Sequence, residues 1–228
     1  MKQRRVPELM DAPDIPLESH HRALAGLQTI NYWSDSVGIV WRQIEPLLPL
    51  DRPLRILDVA TGAGDIPIGL WHRAKSNNVA IEIEACDKSV TAVNHARDNA
   101  ARHFAPIRFF QCDVLTDDIG KSYDVVVSSL FMHHLDSGQA VEFLKKLAAN
   151  AKQRLIINDL RRSAFGWVLA LSAGTILRSR VVRVDGIRSV RAAYTMREAA
   201  DIAVRAGLDA VRVEPQFPFR FVMMWSRK

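Results

Sequence analysis

Two glycines and three aspartates stand where the chain could hold a nucleoside-like cofactor. Asp58, Gly62 and Gly64 follow one another at short, regular spacing after an apolar run. Glycines there let the backbone approach a ligand closely, and a helix that begins after the loop favours negative charge. Asp87 and Asp113 end the next two apolar runs. A carboxylate at such a place can bind two vicinal ribose hydroxyls, so we expect Asp87 at a ribose and Asp113 at an adenine amino group.

The same loop excludes two common phosphate-binding motifs. The dinucleotide fingerprint would need Gly or Ala at position 67, where this chain has Pro67. A Walker loop would need Gly-Lys-Ser/Thr after its glycines, and this loop continues instead with Asp65. Cys86 and Cys112 are the only cysteines, too few for a disulfide scaffold or a four-thiolate zinc site. We expect no metal.

Alternating strands and helices must bring these loops together. Five short apolar runs are predicted strands, at 55–60, 79–85, 107–111, 123–129 and 154–158. Helical periodicity fills the intervals, at 65–75, 89–103 and 137–149. Such alternation with short connections predicts an α/β fold with a doubly wound, mostly parallel sheet.

The two ends of the chain complete the prediction. Residues 1–53 read as an arm followed by helices over 17–33 and from 34–36 to 48. A capping box at Thr195–Glu198 opens a helix that ends at Gly207. Strands at 209–214 and 220–226 follow, and the short turn between them makes the last strand antiparallel. We therefore divide the chain into 1–53 and a domain over 54–228, with an insert at 160–193.

Several of these segments resemble class I methyltransferases of the ubiquinone/menaquinone-biosynthesis type. Leu57–Ile66 resembles their first motif, and Tyr123–Ser129 with His133–Leu135 resembles their fourth. Tyr194–Leu208 is similar to their late helix. The resemblance implies a Rossmann-like seven-stranded sheet, S-adenosylmethionine (SAM) as cofactor, and methyl transfer to a small, often lipophilic acceptor. The arm segment Pro7–Asp11 and the pair Asp185-Gly186 with Ser189–Arg191 are more similar to methyltransferases found beside type III polyketide synthases.

The resemblance also assigns a cofactor site, with two departures from the family pattern. Ala60 replaces the usual first glycine, which is tolerable if that residue still lies in the strand. The usual Pro-Gly-Gly turn before the fifth strand is replaced by 149–153, so the geometry of that turn stays open. The predicted cofactor-binding residues are Asp58, Ala60, Thr61, Gly62, Gly64, Asp87, Lys88, Asp113, Val114, Ser128 and Ser129.

Two histidines and an aspartate are candidates for the chemical step. Methyl transfer from a sulfonium needs mainly alignment, and a base is needed only if the nucleophile must lose a proton. His133 and His134 follow the fourth predicted strand, beside the expected methyl position, and Asp159 ends the fifth. We expect His134 or His133 to act as the base, with Asp159 as the next candidate. A histidine hydrogen-bonded within its own loop is the alternative interpretation.

Charge and hydropathy single out the insert. Residues 161–197 contain eight arginines and one acidic residue, a net charge of +7 in a chain whose total is +6. Apolar residues at 165–177 occupy more than one helical face, which fits core packing, a lid over a lipophilic acceptor or contact with a membrane surface. The longest uncharged run, 163–177, would span roughly 22 Å as a helix, which is too short to cross a bilayer.

The expected acceptor is a small aromatic or lipid-tailed molecule, with oxygen as the expected methylated atom. Ser128–Phe131 lacks the Asn/Asp-Pro-Pro-Tyr pattern of enzymes that methylate base amino groups, and no basic tract interleaved with aromatics suggests RNA stacking. Ring-carbon methylation of a quinone precursor, RNA methylation and a non-enzymatic SAM-binding module stay as alternatives. Residues 1–16 lack the apolar core of a signal peptide, so we expect a cytoplasmic protein.

Overall fold

The structure is a computed structural model, and it describes residues 3–6, 34–48, 51–163 and 180–227. The predicted helix over 17–33, most of the predicted arm and the apolar part of the insert lie outside these ranges. The side chains of residues 180–183 are likewise outside the description.

Seven strands form one mixed sheet in the described part of the chain, in the order β3-β2-β1-β4-β5-β7-β6. They are β1 Leu54–Val59, β2 Ile81–Asp87, β3 Arg108–Gln111, β4 Tyr123–Ser129, β5 Ala151–Leu160, β6 Arg212–Gln216 and β7 Arg220–Ser226. Strands β1 to β5 pair in parallel, whereas β7 is antiparallel to both β5 and β6. The predicted fold class, with its antiparallel last strand, is confirmed. All five parallel strands therefore end at one edge of the sheet, which we call the carboxyl edge.

Helices cover both faces of this sheet. They are α1 Ser36–Ile44, α2 Asp65–Ser76, α3 Val90–Arg102, α4 Ser137–Asn150, α5 Arg180–Ala192 and α6 Met196–Arg205, with short 3-10 turns at Glu45–Leu47 and Met132–His134. The capping box predicted from the sequence forms: the Thr195 hydroxyl accepts from the Glu198 amide, and the Glu198 carboxylate accepts from the Thr195 amide. The strands β1 and β4 at the centre of the sheet are buried on both faces, as continuous apolar runs require.

The apolar core is divided between the two faces of the sheet. Side chains of α4 and α6 pack with Leu57, Val126 and Ile157 on one face. Side chains of α1 and α2 pack with Ile56 and Val127 on the other. Because successive side chains of a strand point to opposite faces, both clusters are built from the same strands.

A buried carboxylate joins the starts of the central strands. Both oxygens of Asp124 in β4 accept from the Arg52 guanidinium, at 2.6 and 2.7 Å. Asp124 also accepts from the Arg55 backbone amide of β1 at 2.9 Å. Arg52 lowers the pKa of Asp124 to about 2, although burial alone would raise it. This contact lies at the amino ends of the strands, away from the carboxyl edge.

The structure answers one open question and corrects two local predictions. The sequence left open the geometry of the turn at 149–153; in the structure α4 ends at Asn150 and β5 begins directly at Ala151. Ala60 does not lie in the strand: β1 ends at Val59, and Ala60 has a φ of 57°. The chain must bend there to enter the glycine loop. The left-handed conformation costs an alanine about 1–2 kcal/mol of strain. Strand β6 begins at Arg212 rather than at 209, since Ala210 also has a positive φ.

The described N-terminal residues lie against the end of α5. The Arg4 backbone amide donates to the Arg191 carbonyl at 3.1 Å, and the Gln3 amide group donates to the Ala192 carbonyl at 2.7 Å. The Arg5 guanidinium lies 4.9 Å from the centre of the Tyr194 ring. Among the described helices, none combines the length and the apolar character that a bilayer span requires.

Candidate active site

The loop between β1 and α2 is shaped by residues with left-handed backbones. Gly62 and Gly64 have φ angles of 55° and 76°, conformations that other side chains rarely adopt. A Cβ on Gly64 would lie 3.1 Å from Ala96 and from the Phe109 ring, so this glycine is also required for space. A Cβ on Gly62 would meet nothing within 4 Å. The Gly62 backbone thus faces open space at the carboxyl edge.

Asp87 ties this loop to the end of β2. One oxygen of its carboxylate accepts from the Gly62 amide at 2.9 Å, and the other accepts from the Ser89 amide at 2.9 Å. A carboxylate offers about four lone-pair positions, so these bonds still allow it to accept from ligand hydroxyls. The predicted ribose contact is therefore compatible with the position of Asp87, and it stays a prediction.

Asp58 is a buried carboxyl group at the end of β1. It is 1% exposed, and one of its oxygens accepts from the Thr61 hydroxyl at 2.5 Å. Burial raises its pKa to about 8; the Thr61 hydroxyl opposes this shift, whereas Asp65 and Asp87 add to it. Within the described residues, the other oxygen of Asp58 has no hydrogen-bond partner.

A second orphaned polar atom lies on the neighbouring strand. Ser128 of β4 is paired in register with Val59 of β1, and its hydroxyl is buried without a partner among the described residues. Buried polar groups are nearly always hydrogen-bonded, and each exception calls for an explanation such as a ligand. Orphaned atoms on Asp58 and Ser128, beside a glycine loop that leaves open space, fit a bound SAM. The residues present are thus suited to the predicted cofactor.

The four remaining predicted cofactor residues lie in different environments. Asp113 stands two residues beyond the end of β3 and folds into its own turn, since its carboxylate accepts from the Leu115 amide at 3.0 Å. Val114 is buried in the core beside α4, and Lys88 is exposed. The Ser129 hydroxyl accepts from the Asn158 amide group at 3.3 Å. The adenine contact of Asp113 stays a prediction.

His133 and Asp159 form a buried pair at the carboxyl edge. Their ring nitrogen Nδ1 and carboxylate oxygen lie 2.6 Å apart, and the two side chains are 4% and 1% exposed. Asp159 also accepts from the backbone amides of His133, at 3.1 Å, and Leu160, at 2.6 Å. Burial alone would raise the pKa of Asp159, but His133 and these hydrogen bonds hold it below its usual range. An ionised Asp159 therefore orients the His133 ring.

His134, the neighbouring residue, has the opposite environment. Its side chain is exposed, and its ring centre lies 4.3 Å from that of His133. The phenol of Tyr194 donates to the Leu135 carbonyl at 2.7 Å and so holds the segment that follows the two histidines. Of the three predicted catalytic residues, the structure thus brings His133 and Asp159 together and leaves His134 at the surface.

Sequence reasoning missed Arg220, which begins β7 at the same edge. It is 1% exposed, and register pairs it with Leu160, the residue after Asp159. Burial lowers its pKa to about 10, while the carboxylates of Asp159 and Asp65 act in the opposite direction. The sequence did contain a signal for Arg220: it is a charged residue at the start of an otherwise apolar strand. A charged residue in such a place is either exposed or paired with a carboxylate.

The comparisons with known proteins fit this site. Residues 56–154 match the family profile described as "Methyltransferase domain". No curated protein matches the chain significantly. The profile covers the glycine loop, both strands that carry the orphaned atoms, and His133. The match covers less than half of the chain and supports the prediction of a methyltransferase domain that uses SAM.

Solved structures share the fold at low sequence identity. A putative O-methyltransferase from Nostoc punctiforme has a TM-score of 0.67 and 18% identity; the match covers 99% of this chain and 64% of that one. The magnesium protoporphyrin IX methyltransferase from Synechocystis, with bound SAH, has a TM-score of 0.58 and 20% identity, covering 90% and 84%. A SAM-dependent methyltransferase from Aquifex aeolicus has a TM-score of 0.59 and 19% identity, covering 81% and 88%. The chain thus spans about two thirds of the Nostoc protein.

Proposed function

We propose that this chain, a SAM-dependent methyltransferase, methylates an oxygen atom of a small aromatic or lipophilic acceptor. Methyl transfer is an in-line displacement in which the donor already carries its leaving group, so the site must align the acceptor with the methyl. A phenol has a pKa of about 10 and is mostly protonated at neutral pH. Transfer to its oxygen therefore profits from a base.

The buried pair of His133 and Asp159 is the observation that carries this proposal. When Nδ1 of a neutral His133 donates its proton to Asp159, the basic nitrogen of the ring is Nε2. Asp159 also stabilises the imidazolium that forms when that nitrogen takes up a proton. A base held in this way typically accelerates proton transfer 10²- to 10⁴-fold. His134 is exposed and lies next to His133, so it is the alternative base.

The other residues are proposed to bind and orient. Asp58, Thr61, Gly62, Gly64 and Ser128 would hold SAM; its sulfonium supplies the methyl group. Asp87 would take the ribose.

The insert at 160–193 is proposed as the lid over the acceptor, within a domain that runs from 54 to 228. Its described end supports this: Arg162 donates to the Tyr194 carbonyl from its backbone amide, and its side chain pairs with Glu198 at 2.6 Å. Helix α5 packs against the turn that carries the two histidines. The insert is thus anchored beside the proposed base. Two arginines of the insert, Arg162 and Arg188, pair with acidic side chains. This leaves less positive charge for contacts with phosphate groups and weighs against RNA as the substrate.

Two of the structural relatives support oxygen as the methylated atom. The Nostoc protein is described as a putative O-methyltransferase, and a protein from Burkholderia thailandensis with 21% identity as a member of an O-methyltransferase family. The Synechocystis enzyme acts on a magnesium porphyrin, which is a large aromatic acceptor.

A methyl-transfer screen tests the proposal. The full chain with SAM is offered phenols, resorcinols and quinols, and the products are read by mass spectrometry and NMR. O-methylated products are expected; C-methylated rings would show the alternative reaction, and RNA-only activity would refute the proposal. On an active phenol, His133→Ala and Asp159→Asn should lower kcat at least 100-fold at pH 7 while the affinity for SAM stays within threefold. His134→Ala is the matched control, and loss of activity in it alone would reassign the base.

A further inference from the structure

Arg5 is a cation with buried hydrogen-bond donors that lack an acceptor. In the described segment 3–6 the side chains of Gln3 and Arg5 are partly buried, whereas those of Arg4 and Val6 are exposed. Two nitrogens of Arg5, Nε and Nη2, are buried and have no hydrogen-bond partner within the described part of the chain. A buried charged donor without an acceptor is costly, so these two atoms call for a partner.

The position of Arg5 is fixed by contacts that leave these two donors unused. The neighbouring residues Gln3 and Arg4 donate to carbonyl oxygens at the end of α5, where a helix leaves its last carbonyls without partners. The guanidinium carbon of Arg5 lies over the ring of Tyr194, 4.9 Å from its centre. A ring face attracts a cation through its quadrupole and does not use up the N–H donors of the guanidinium. The stack therefore holds Arg5 ready to bind an anion.

Tyr194 places Arg5 beside the turn that carries the proposed base. The phenol of Tyr194 donates to the carbonyl of Leu135, which directly follows the two histidines, at 2.7 Å. The backbone of Tyr194 forms a parallel bridge with Arg161, the first residue after β5. Strand β5 lies two positions from β1 in the sheet, and β1 leads into the glycine loop. Arg5 is thus on the side of the carboxyl edge where the insert is proposed to cover the acceptor.

The carboxylates around Tyr194 have other partners. Asp136, next to Leu135, accepts from two backbone amides at the start of α4. Glu198 accepts from the Arg162 guanidinium at 2.6 Å. Asp159 lies 2.6 Å from Nδ1 of His133. None of these three groups supplies the acceptor that Nε and Nη2 of Arg5 lack, which points to an anionic ligand.

We propose that Arg5 binds a carboxylate of the acceptor, which makes the acceptor a phenolic acid. Nε and Nη2 lie on one edge of the guanidinium, and this edge pairs with a carboxylate through two parallel hydrogen bonds. A carboxylate held there fixes one end of the acceptor beside the insert and leaves its hydroxyl for the base in the turn. The substrate class named here rests on the proposed function, whereas the anion site itself rests on the contacts of Arg5.

The test is a calorimetric binding experiment on the full chain loaded with SAH, which needs no turnover. The isomeric hydroxybenzoates and hydroxyphenylpropanoates are each compared with the corresponding amide, a neutral molecule of nearly the same shape. The wild type should bind at least one of the acids about tenfold or more tightly than its amide, because its hydrogen bonds to Arg5 are charge-assisted. Arg5→Met should remove this preference and leave amide binding unchanged. Equal binding of acid and amide in every pair, or no binding of any of the acids, overturns the proposal.

Two further variants separate the site from the general charge of the surface. Arg4→Met is the matched control, since Arg4 is exposed and binds α5 through its backbone amide. It removes the same charge and should keep the preference for the acid; an equal loss in both variants would refute the assignment. Arg5→Lys keeps the charge without the planar edge, so it should weaken the preference without abolishing it, and it also serves if Arg5→Met fails to fold.

Cofactor binding and turnover distinguish the remaining outcomes. The affinity for SAM should be unchanged in Arg5→Met; a loss of about tenfold or more would assign Arg5 to the carboxylate of the cofactor and overturn the proposal. A methyl ester as the product would place the acceptor carboxylate at the methyl group, and it too would overturn the proposal. Methyl transfer to neutral phenols as fast as to phenolic acids would leave the proposed function standing and refute the role of Arg5. Binding of the acids that depends on Arg5, without methyl transfer to any phenol, would do the reverse.

Discussion

Asp58→Asn should stabilise the protein without its cofactor, and increasingly so as the pH rises. In the folded chain the pKa of Asp58 is raised to about 8, mainly by burial, whereas in the unfolded chain it lies near 3.9. Between these values the folded state binds one more proton than the unfolded state. Stability must therefore fall with rising pH, by about 1.4 kcal/mol per pH unit from this group. Asparagine has no such proton to bind.

The size of the effect follows from this slope. From pH 5 to pH 7 the wild type should lose about 2.7 kcal/mol relative to Asp58→Asn. For a chain of this length about 1 kcal/mol corresponds to roughly 2–4 °C, so the difference in melting temperature should widen by about 5–10 °C. The Thr61 hydroxyl can still donate to the amide oxygen of asparagine, so the contact at 2.5 Å is not lost in the variant.

The assay is thermal unfolding of both proteins at half-unit steps from pH 5 to pH 8, without SAM. Other titrating groups are common to both proteins, so the difference isolates Asp58. Parallel curves would refute the reasoning, because they would mean that Asp58 ionises in the folded state as it does in the unfolded one. The same variant should bind SAM more weakly above pH 8, where the wild-type carboxylate is ionised and attracts the positively charged cofactor; equal affinities there would remove Asp58 from the cofactor site.

Three further predictions concern other parts of the chain. Asp87→Ala removes charge-assisted hydrogen bonds worth about 1.5–3 kcal/mol each, so calorimetry should show that the affinity for SAM falls at least tenfold. An unchanged affinity would refute the assignment of Asp87 to the ribose. The depressed pKa of Asp124, about 2, contributes stability that is present above pH 4 and lost as the pH falls towards 2. Arg52→Met should therefore unfold at a higher pH on acidification, as followed by circular dichroism, and an unshifted midpoint would contradict the role of this contact. Deleting 164–179 should abolish turnover and spare SAM binding if the insert is a lid. Loss of both turnover and SAM binding would show that the segment is part of the hydrophobic core.

The sheet and the cofactor loop could be predicted from the sequence alone, because both depend on local patterns. Strand β4 was predicted with its observed bounds, Tyr123–Ser129, since three consecutive valines are typical of a strand buried on both faces. The capping box at Thr195 also formed as predicted, because its two hydrogen bonds join residues only three positions apart. The spacing of Gly62 and Gly64 likewise predicted the position of the loop, because the tolerance for a positive φ angle is a property of the residue type.

Which polar residues come together depends on contacts between distant parts of the chain. His133 and His134 are neighbours of the same type, and no sequence pattern separates them; one becomes buried because the 3-10 turn presents it to Asp159, 26 positions further along the chain. Arg220 lies 60 residues beyond Leu160 and comes opposite it only because β7 pairs with β5 in one particular register. Burial and strand register result from many long-range contacts. The burial of a titratable group in turn shifts its pKa. Residue type and spacing therefore indicated the cofactor loop, while packing selected the candidate base.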